Sequence, residues 1–574
     1  MPNFFKDNKD LMFAIDHIDI EEIIKLKENN YKESLKFDYA PENFKDAMDN
    51  FRRVLDVIGE ITGDRIEPRS RTVDAEGPQF ENNKVTYHPL TVKNIKDLTA
   101  AQVCGVMLPR RFGGLNFPVT VYTMMTEMVS RADASLQNLF GLQDIAETIA
   151  EFGNEDQKER YLPGFASGEF DGSMDLTEPD SGSDLQSVRL KATYDEKKNQ
   201  WYLDGMKRFI TNGCAKVHLV LARSEEGTTD GRGLSMFICK ECPELVVRRI
   251  ENKLGIHGVA TCELQYNHVP AEVCGQRKRG LTRYVMALMN GARVAISAQA
   301  IGVAEAAYRE AKKYASEREQ FKNSIDKFPA IYSMLTDMKI SIIAARTLLY
   351  ETTRAVDFRN YYVHTVENGS QEQITNEIRT AAKYWAKVAA ALTPMSKAYA
   401  TEMANDVAYK GIQIHGGTGF MKDFNAERFY RDARITNIYE GTTQLQHVAA
   451  IGGVTQRTLN VLYDEYSKLP YDGKLKRLAS KLETMRKQIE EAAAYVLAKK
   501  DTTYHDLVTK HLVNMETYAF VGYLMTRDAL KDSSREVLAE RFILDSEIEF
   551  QRCRAYVMSG DVTTIDKHRD IIDF

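Results

Sequence analysis

The chain has 574 residues, with Lys+Arg 76 against Asp+Glu 82 for a net charge of −6, and 43% of residues are apolar. At about 150 residues per domain, that length points to roughly four domains. The balance excludes a global basic field for nucleic acid or an anionic membrane, and the composition excludes a disordered chain. No run approaches the roughly 18 apolar residues of a membrane span. The opening MPNFFKDNKDLMFAID has neither an h-region nor an Arg-rich transit pattern, and 7 cysteines, an odd number, fit a reducing compartment. A cytoplasmic protein is expected.

Residues 1–40 are polar and charged with a few apolar anchors and read as a surface extension. Residues 41–171 are helical in pattern: Phe51, Val54, Leu55, Ile58 and Ile61 lie on one face. No strand-like alternation stands out there. The period changes after Gly172. Val188, Leu190, Ala192 and Tyr194 alternate with polar residues, a polar turn follows, and Trp201 and Leu203 resume, as in a hairpin. Short strands are predicted at 218–222, 234–238, 245–250 and 262–269, so 172–280 reads as a compact antiparallel sheet or barrel. The pair Cys239 and Cys242 at a strand end has no second pair to make a zinc ribbon and reads as two reduced thiols.

Helical spacing returns near Leu281 and continues over 281–460, with a break at Pro470–Gly473. Leu475, Leu478, Leu482, Met485, Ile489 and Ala492 then step by three and four, and 461–574 reads as an additional helical domain. About three heptads favour packing within the chain over a coiled coil with a partner.

Three stretches carry chemistry. Met174 to Asp184 (MDLTEPDSGSD) offers the hydroxyls of Thr177, Ser181 and Ser183, with Gly182 suited to positive φ and close backbone approach. Lys207 to Gly213 (KRFITNG) places Phe209 and Thr211 on one side of a strand running into an Asn-Gly turn. In Ile435 to Gln444 (ITNIYEGTTQ) a lone carboxylate, Glu440, stands beside glycine and after an apolar–aromatic pair, surroundings that favour a base. Taken alone, each stretch reads first as an ordinary turn, strand or solvated loop.

In this order, with SEREQF (Ser316–Phe321) and QIHGGTGF (Gln413–Phe420), these segments resemble the acyl-CoA dehydrogenase family over about residues 50–455. The resemblance implies an α+β fold: an N-terminal helical domain, a central antiparallel β-barrel and a C-terminal helical bundle, here with an extra helical domain typical of a large branch. It implies FAD, with Leu176 and Thr177 at the flavin ring, Phe209 where the family usually has tryptophan, and Thr211 beside it. Gly182 and Ser183 would lie along the same cofactor, Ser183 also near the pantetheine arm. Arg318, Phe321, Gln413 and Gly417 would bind the adenosine pyrophosphate of a neighbouring subunit's FAD, in a homodimer or homotetramer, with Thr442 and Gln444 closing over it. An arginine suits that task because its fork pairs phosphate oxygens.

By the same resemblance, Glu440 removes the α-proton of an acyl-CoA while a β-hydride passes to flavin N5, giving the trans-2-enoyl-CoA. The alternative base position of some members is Ala292 here, which cannot act. Arg293, taken to open its helix, would steady the base and the CoA end. Lys322 and Asp180 stand where the family usually has glycine or a small residue. Electron-transferring flavoprotein is the implied acceptor. An acyl-CoA oxidase using O₂ and a non-enzymatic DNA-associated relative are the alternatives, and the basic residues of 474–500 are interleaved with glutamates, unlike a nucleic-acid patch. His257 and His415 lack the spaced partners of a metal site, and no metal is expected.

Overall fold

The change of period at Gly172 is where the sheet begins. In the computed structural model, which describes residues 1–574, the chain divides into two compact units. The first comprises Met1–Met12, Ile20–Ala307 and Gly416–Thr436; the second comprises Phe13–Asp19, Tyr308–His415 and Asn437–Phe574.

In the first unit, the stretch expected to be a surface extension is instead packed. Phe4, Phe5, Leu11, Ile20, Ile23 and Ile24 are each at most 7% exposed. Phe4 donates its amide to the Gly59 carbonyl at 2.9 Å, and Arg131 stacks over its ring while binding Asp7. A Cβ at Gly59 would come within 2.7 Å of Phe5 Cβ, so a side chain there would expel the N-terminus from its groove. Polar composition hid this because the anchors are few and each is wholly buried. The helix Phe44–Glu60 follows, capped by Asn43, and buries Phe51, Leu55 and Ile58 as its period predicts. A short hairpin, Gln79–Glu81 with Lys84–Thr86, interrupts the helices; Asn82 and Asn83 both take positive φ, the turn a two-residue hairpin needs. Strands of three residues are too short to show an alternation.

The sheet has seven strands: β1 (Gly172–Asp175), β2 (Lys191–Asp195), β3 (Gln200–Thr211), β4 (Val217–Arg223), β5 (Leu234–Lys240), β6 (Leu245–Ile250) and β7 (Thr261–Val273). Their order is β1-β4-β2-β3-β7-β5, β6 adds to β7, and β4 also pairs with β5, which closes the sheet on itself. Most pairs are antiparallel, as expected, but β1 runs parallel to β4, with Gly172 opposite Val217. β4 is buried on both faces. Leu219 and Leu221 pack with Ile145, Ile149 and Leu162 of the helices, and Val220 and Ala222 pack with Leu203, Phe237 and Leu264 inside the barrel. All 7 cysteines are free thiols, Cys239 and Cys242 among them.

The second unit is helical. Numbering from Met286–Glu317 as α1, its long members are α2 (Pro329–Asn368) and α3 (Asn376–His415), which pack along each other. After α4 (Ala426–Thr436) of the first unit come α5 (Thr443–Thr455), α6 (Asn460–Ser467), α7 (Gly473–Lys499), α8 (Thr502–Lys531) and α9 (Glu536–Ser559). The stripe Leu475, Leu478, Leu482, Met485, Ile489 and Ala492 of α7 is buried in one core with residues of α8 and α9, so its partners are in the same chain. The basic face of α7 is ion-paired: Lys474 to Glu540 and Lys481 to Glu547 of α9, and Arg486 to Asp464 of α6. At the middle of α2, buried Glu351 binds Arg354, Arg527 and Tyr466, and these cations hold its carboxyl well below the usual carboxylate range despite burial. No helix is long and apolar enough to cross a membrane.

Candidate active site

Of the residues singled out in the sequence, those around Leu176 and Phe209 form one local constellation in the first unit and those around Glu440 another in the second, while Arg293, Arg318, Phe321, Gln413 and Gly417 lie apart from both. In the first unit, the segment after β1 is held against the end of β3. Arg208 donates its amide to the Thr177 carbonyl at 2.9 Å. Lys207, wholly buried, donates from Nζ to the Leu176 carbonyl at 2.8 Å and to Glu178 Oε1 at 3.0 Å. Burial pulls the Lys207 ammonium below its ordinary value, only partly opposed by Glu178. Glu178 in turn accepts from the Arg189 and Leu190 amides, so a buried carboxylate ties three strands' worth of chain to one loop.

One residue before Leu176, Asp175 is wholly buried and accepts from Ser173, from Tyr266 and from His218 Nδ1. His218 Nε2 donates to the Ala215 carbonyl at 2.9 Å. Burial alone would lower the His218 pKa, but the Asp175 charge and these hydrogen bonds outweigh it and the net shift is upward. Asn212 adds a third tie, donating to Asp171 and to the Gly172 carbonyl. The result is a rigid floor beneath Leu176 and Thr177.

Phe209 and Thr211 do not simply alternate as expected. The β3–β7 register slips between Lys207 and Ile210, and Phe209 takes φ 62°, so the strand bulges there. A bulge re-aims a side chain: the Phe209 ring is 53% exposed beneath the Arg208 guanidinium, whereas Thr211 is half-buried. Gly182 does not take the positive φ expected of it. A Cβ at Gly182 would meet only the Thr177 methyl, at an ordinary contact distance of 3.9 Å. Ser183 is exposed beside it, and Leu176 is buried.

In the second unit, Glu440 takes φ 53° and Gly441 φ 88°, two successive left-handed residues between α4 and α5. Such backbone costs a non-glycine residue on the order of 1 kcal/mol or more and persists where its surroundings impose it. They do so here. Lys397 of α3, with no exposure, donates from Nζ to the Tyr439 carbonyl at 2.6 Å and the Gly441 carbonyl at 2.5 Å. Gln446 Nε2 donates to the Glu440 and Gly441 carbonyls at 3.1 and 2.8 Å. Glu402 accepts from Asn437 and Thr443 at the loop's two ends. Thr442 caps α5 through the Leu445 amide, Gln444 is exposed, and Glu440 itself is half-buried.

Lys207, Lys397 and Gln446 were not singled out in the sequence. Their signal is a lone polar side chain in an apolar helical or strand face, a pattern that does not by itself say which backbone it grips.

Arg293 does not open its helix: α1 starts at Met286, and Arg293 lies further along, half-buried, bonded to Asn290. Arg318 follows the last residue of α1 and is exposed, next to the hairpin whose tip residues Phe321 and Lys322 both take positive φ. The Phe321 ring is 88% exposed, edge-on to Phe328. Gln413 is exposed on α3. Gly417, in the first unit, has open space where a Cβ would stand. His257 and His415 bind within the fold, His257 to Asp74 and the Lys253 carbonyl, His415 to the Gly411 carbonyl and the Tyr314 ring.

Four family models match consecutive stretches: the acyl-CoA dehydrogenase N-terminal domain over residues 49–169, the middle domain over 173–269, the C-terminal domain over 279–452, and "Acyl-CoA dehydrogenase C terminal" over 455–565. The chain belongs to the acyl-CoA dehydrogenase family, in the form that carries the additional C-terminal domain. Its chemistry is that of an oxidoreductase acting on CH–CH donors, and the family's cofactor is FAD.

Among relatives, 3-methylmercaptopropionyl-CoA dehydrogenase of Ruegeria pomeroyi is 31% identical over 76% of this chain and 74% of its own. A chain in the structure described as electron transferring flavoprotein of Acidaminococcus fermentans is 29% identical, with a TM-score of 0.59 over 70% of this chain and 96% of that one. The fold extends over nearly the whole chain in the FAD complex of an acyl-CoA dehydrogenase from Bacillus anthracis: 22% identical, TM-score 0.76, covering 95% of this chain and 91% of that one.

The residues present fit FAD. An exposed aromatic ring at Phe209 and the hydroxyls of half-buried Thr177 and exposed Ser183 are stacking and donor groups of the kind that the isoalloxazine ring and the phosphates of FAD require.

Proposed function

We propose that the protein dehydrogenates an acyl-CoA thioester to the trans-2-enoyl-CoA, with Glu440 as the base that takes the α-proton. The observation that carries this reading is the Glu440 backbone, fixed in a left-handed conformation by Lys397 and Gln446. Strain that is held in place on a carboxylate-bearing loop is a mark of a working residue. Bound FAD supplies the acceptor for the β-hydride at its N5.

The chain's own groups do the rest. Leu176, Thr177, Phe209 and Thr211 would hold the flavin ring, and Gly182 and Ser183 would lie along the same cofactor, with Ser183 also able to donate to the pantetheine arm. Arg293 would hold the CoA end. The Glu440 amide N–H polarises the thioester oxygen as negative charge develops, in the manner of an oxyanion hole. Arg318, Phe321, Gln413 and Gly417 would bind the adenosine pyrophosphate of a second subunit's FAD, with Thr442 and Gln444 closing over it, in a homodimer or homotetramer.

Electron-transferring flavoprotein is the acceptor we assign, a reading supported by the likeness to the Acidaminococcus fermentans chain. Anaerobic titration of the FAD-loaded protein with acyl-CoAs of graded length and branching tests the activity. At least one bleaches the flavin if the reading holds; none does if it fails. Admission of air then separates the acceptors, since rapid peroxide formation marks an oxidase.

A further inference from the structure

We infer that Lys397 is a positioning residue for the reaction, acting through the backbone of Glu440; this rests on Glu440 being the base. Lys397 lies at the middle of α3, flanked by buried Met395, Ser396 and Ala398, and is itself wholly buried. An ammonium in such a place is costly unless its hydrogens are taken up. Two of its donors go to the carbonyls on either side of Glu440, those of Tyr439 and Gly441, at 2.6 and 2.5 Å. Each bond is charge-assisted, and so stronger than an amide–carbonyl bond.

The two accepting carbonyls bracket the Glu440 residue, whose φ is 53° and whose successor's is 88°. Rotation of Glu440 toward ordinary negative φ would turn the peptide unit of the Tyr439 carbonyl against the chain that carries the Gly441 carbonyl, and pull at least one of the two off the ammonium. Lys397 therefore converts the burial of one charge into the fixed direction of another side chain. Gln446 works from the opposite end of the loop, bonding the Glu440 and Gly441 carbonyls, but it is neutral and one of its bonds is longer at 3.1 Å. Proton abstraction is steep in geometry: a misplacement of about 1 Å costs on the order of a hundredfold in rate. Binding of the thioester tail does not depend on the direction of the carboxylate in this way. Lys397 thus bears on the rate of α-proton removal and not on acyl-CoA affinity.

The test is Lys397→Met, which keeps the volume of the stem and removes the ammonium. Hydrogen exchange by mass spectrometry over residues 438–444 is measured on the FAD-loaded protein, with saturation kinetics of anaerobic flavin bleaching. The expected result is exchange about tenfold faster in that segment alone, a limiting bleaching rate at least about tenfold lower, and a half-saturating acyl-CoA concentration changed by no more than about twofold. An unchanged limiting rate, or unchanged exchange over 438–444, in folded and FAD-loaded variant overturns the inference. If Lys397→Met does not fold, Gln446→Leu is read for the same quantities, with a smaller loss expected and the same null outcome contradicting. Glu440→Gln in parallel keeps the two claims apart. Normal bleaching by Glu440→Gln removes the base assignment, while the exchange result for Lys397→Met still judges the grip on its own.

Discussion

Lys207 places its Nζ 2.8 Å from the Leu176 carbonyl, a contact with no exposure to solvent on the lysine side. The same ammonium binds Glu178 Oε1 at 3.0 Å. Lys397 does the same to the carbonyls around Glu440 in the other unit. In both units, a buried lysine holds the main chain of a loop to which we assign part of the chemistry.

Lys207→Met leaves the buried Glu178 carboxylate with the amide donors of Arg189 and Leu190 and no cation. Breaking one side of a buried ion pair costs about 3–5 kcal/mol. The urea midpoint of the first unit should fall, and FAD should dissociate more readily because the Leu176–Thr177 loop loosens. Adding Glu178→Gln to the same protein should recover part of the loss; a double variant no more stable than the single one would show that the pair is not coupled.

His218 contributes stability that depends on pH. Its folded-state pKa is raised by Asp175, so the folded protein holds a proton that the unfolded chain releases near pH 6.5. The contribution is complete below about pH 6.5 and is lost as pH rises through the folded value. His218→Gln should therefore lower the melting temperature most near pH 6, with the gap to the parent narrowing toward alkaline pH. Melting curves across that range check it, and a constant gap would contradict an ionised pair.

Much of this was legible in the sequence, for reasons that differ by element. The strands at 217–223, 234–240, 245–250 and 261–273 follow from short apolar runs bounded by turn residues, which act locally. The α7 stripe follows likewise from its period of three and four. What local pattern could not show is long-range. The parallel pairing of Gly172–Asp175 with Val217–Val220 joins segments with two strands between them, and the burial of Phe4 and Phe5 depends on the absence of a side chain at Gly59. In the candidate site, the chemistry-bearing residues stood out because motifs mark them. Lys207 and Lys397 did not, because a lysine's burial is decided by which distant carbonyls come within reach of it. The Phe209 bulge was also hidden, since one unpaired residue leaves the apolar pattern on either side intact.

Arg318→Ala tests the shared cofactor site. Arg318 is exposed at the end of α1, so its removal should leave the fold of each unit intact. The variant should lose FAD on dialysis and shift toward smaller species on size-exclusion chromatography. Full yellow colour and an unchanged elution volume would mean that the adenosine pyrophosphate is held elsewhere.

The most direct measurement is the rate of anaerobic flavin bleaching by a substrate acyl-CoA in Glu440→Gln against the parent, with FAD content and acyl-CoA binding measured on the same samples. The substitution keeps the side chain's shape and removes its basicity. Loss of a general base costs about a hundredfold to ten-thousandfold, and a fall of that size with FAD and acyl-CoA still bound is the predicted result. Bleaching within about twofold of the parent would contradict Glu440 as the base, since a group contributing general-base catalysis cannot be removed at so small a cost.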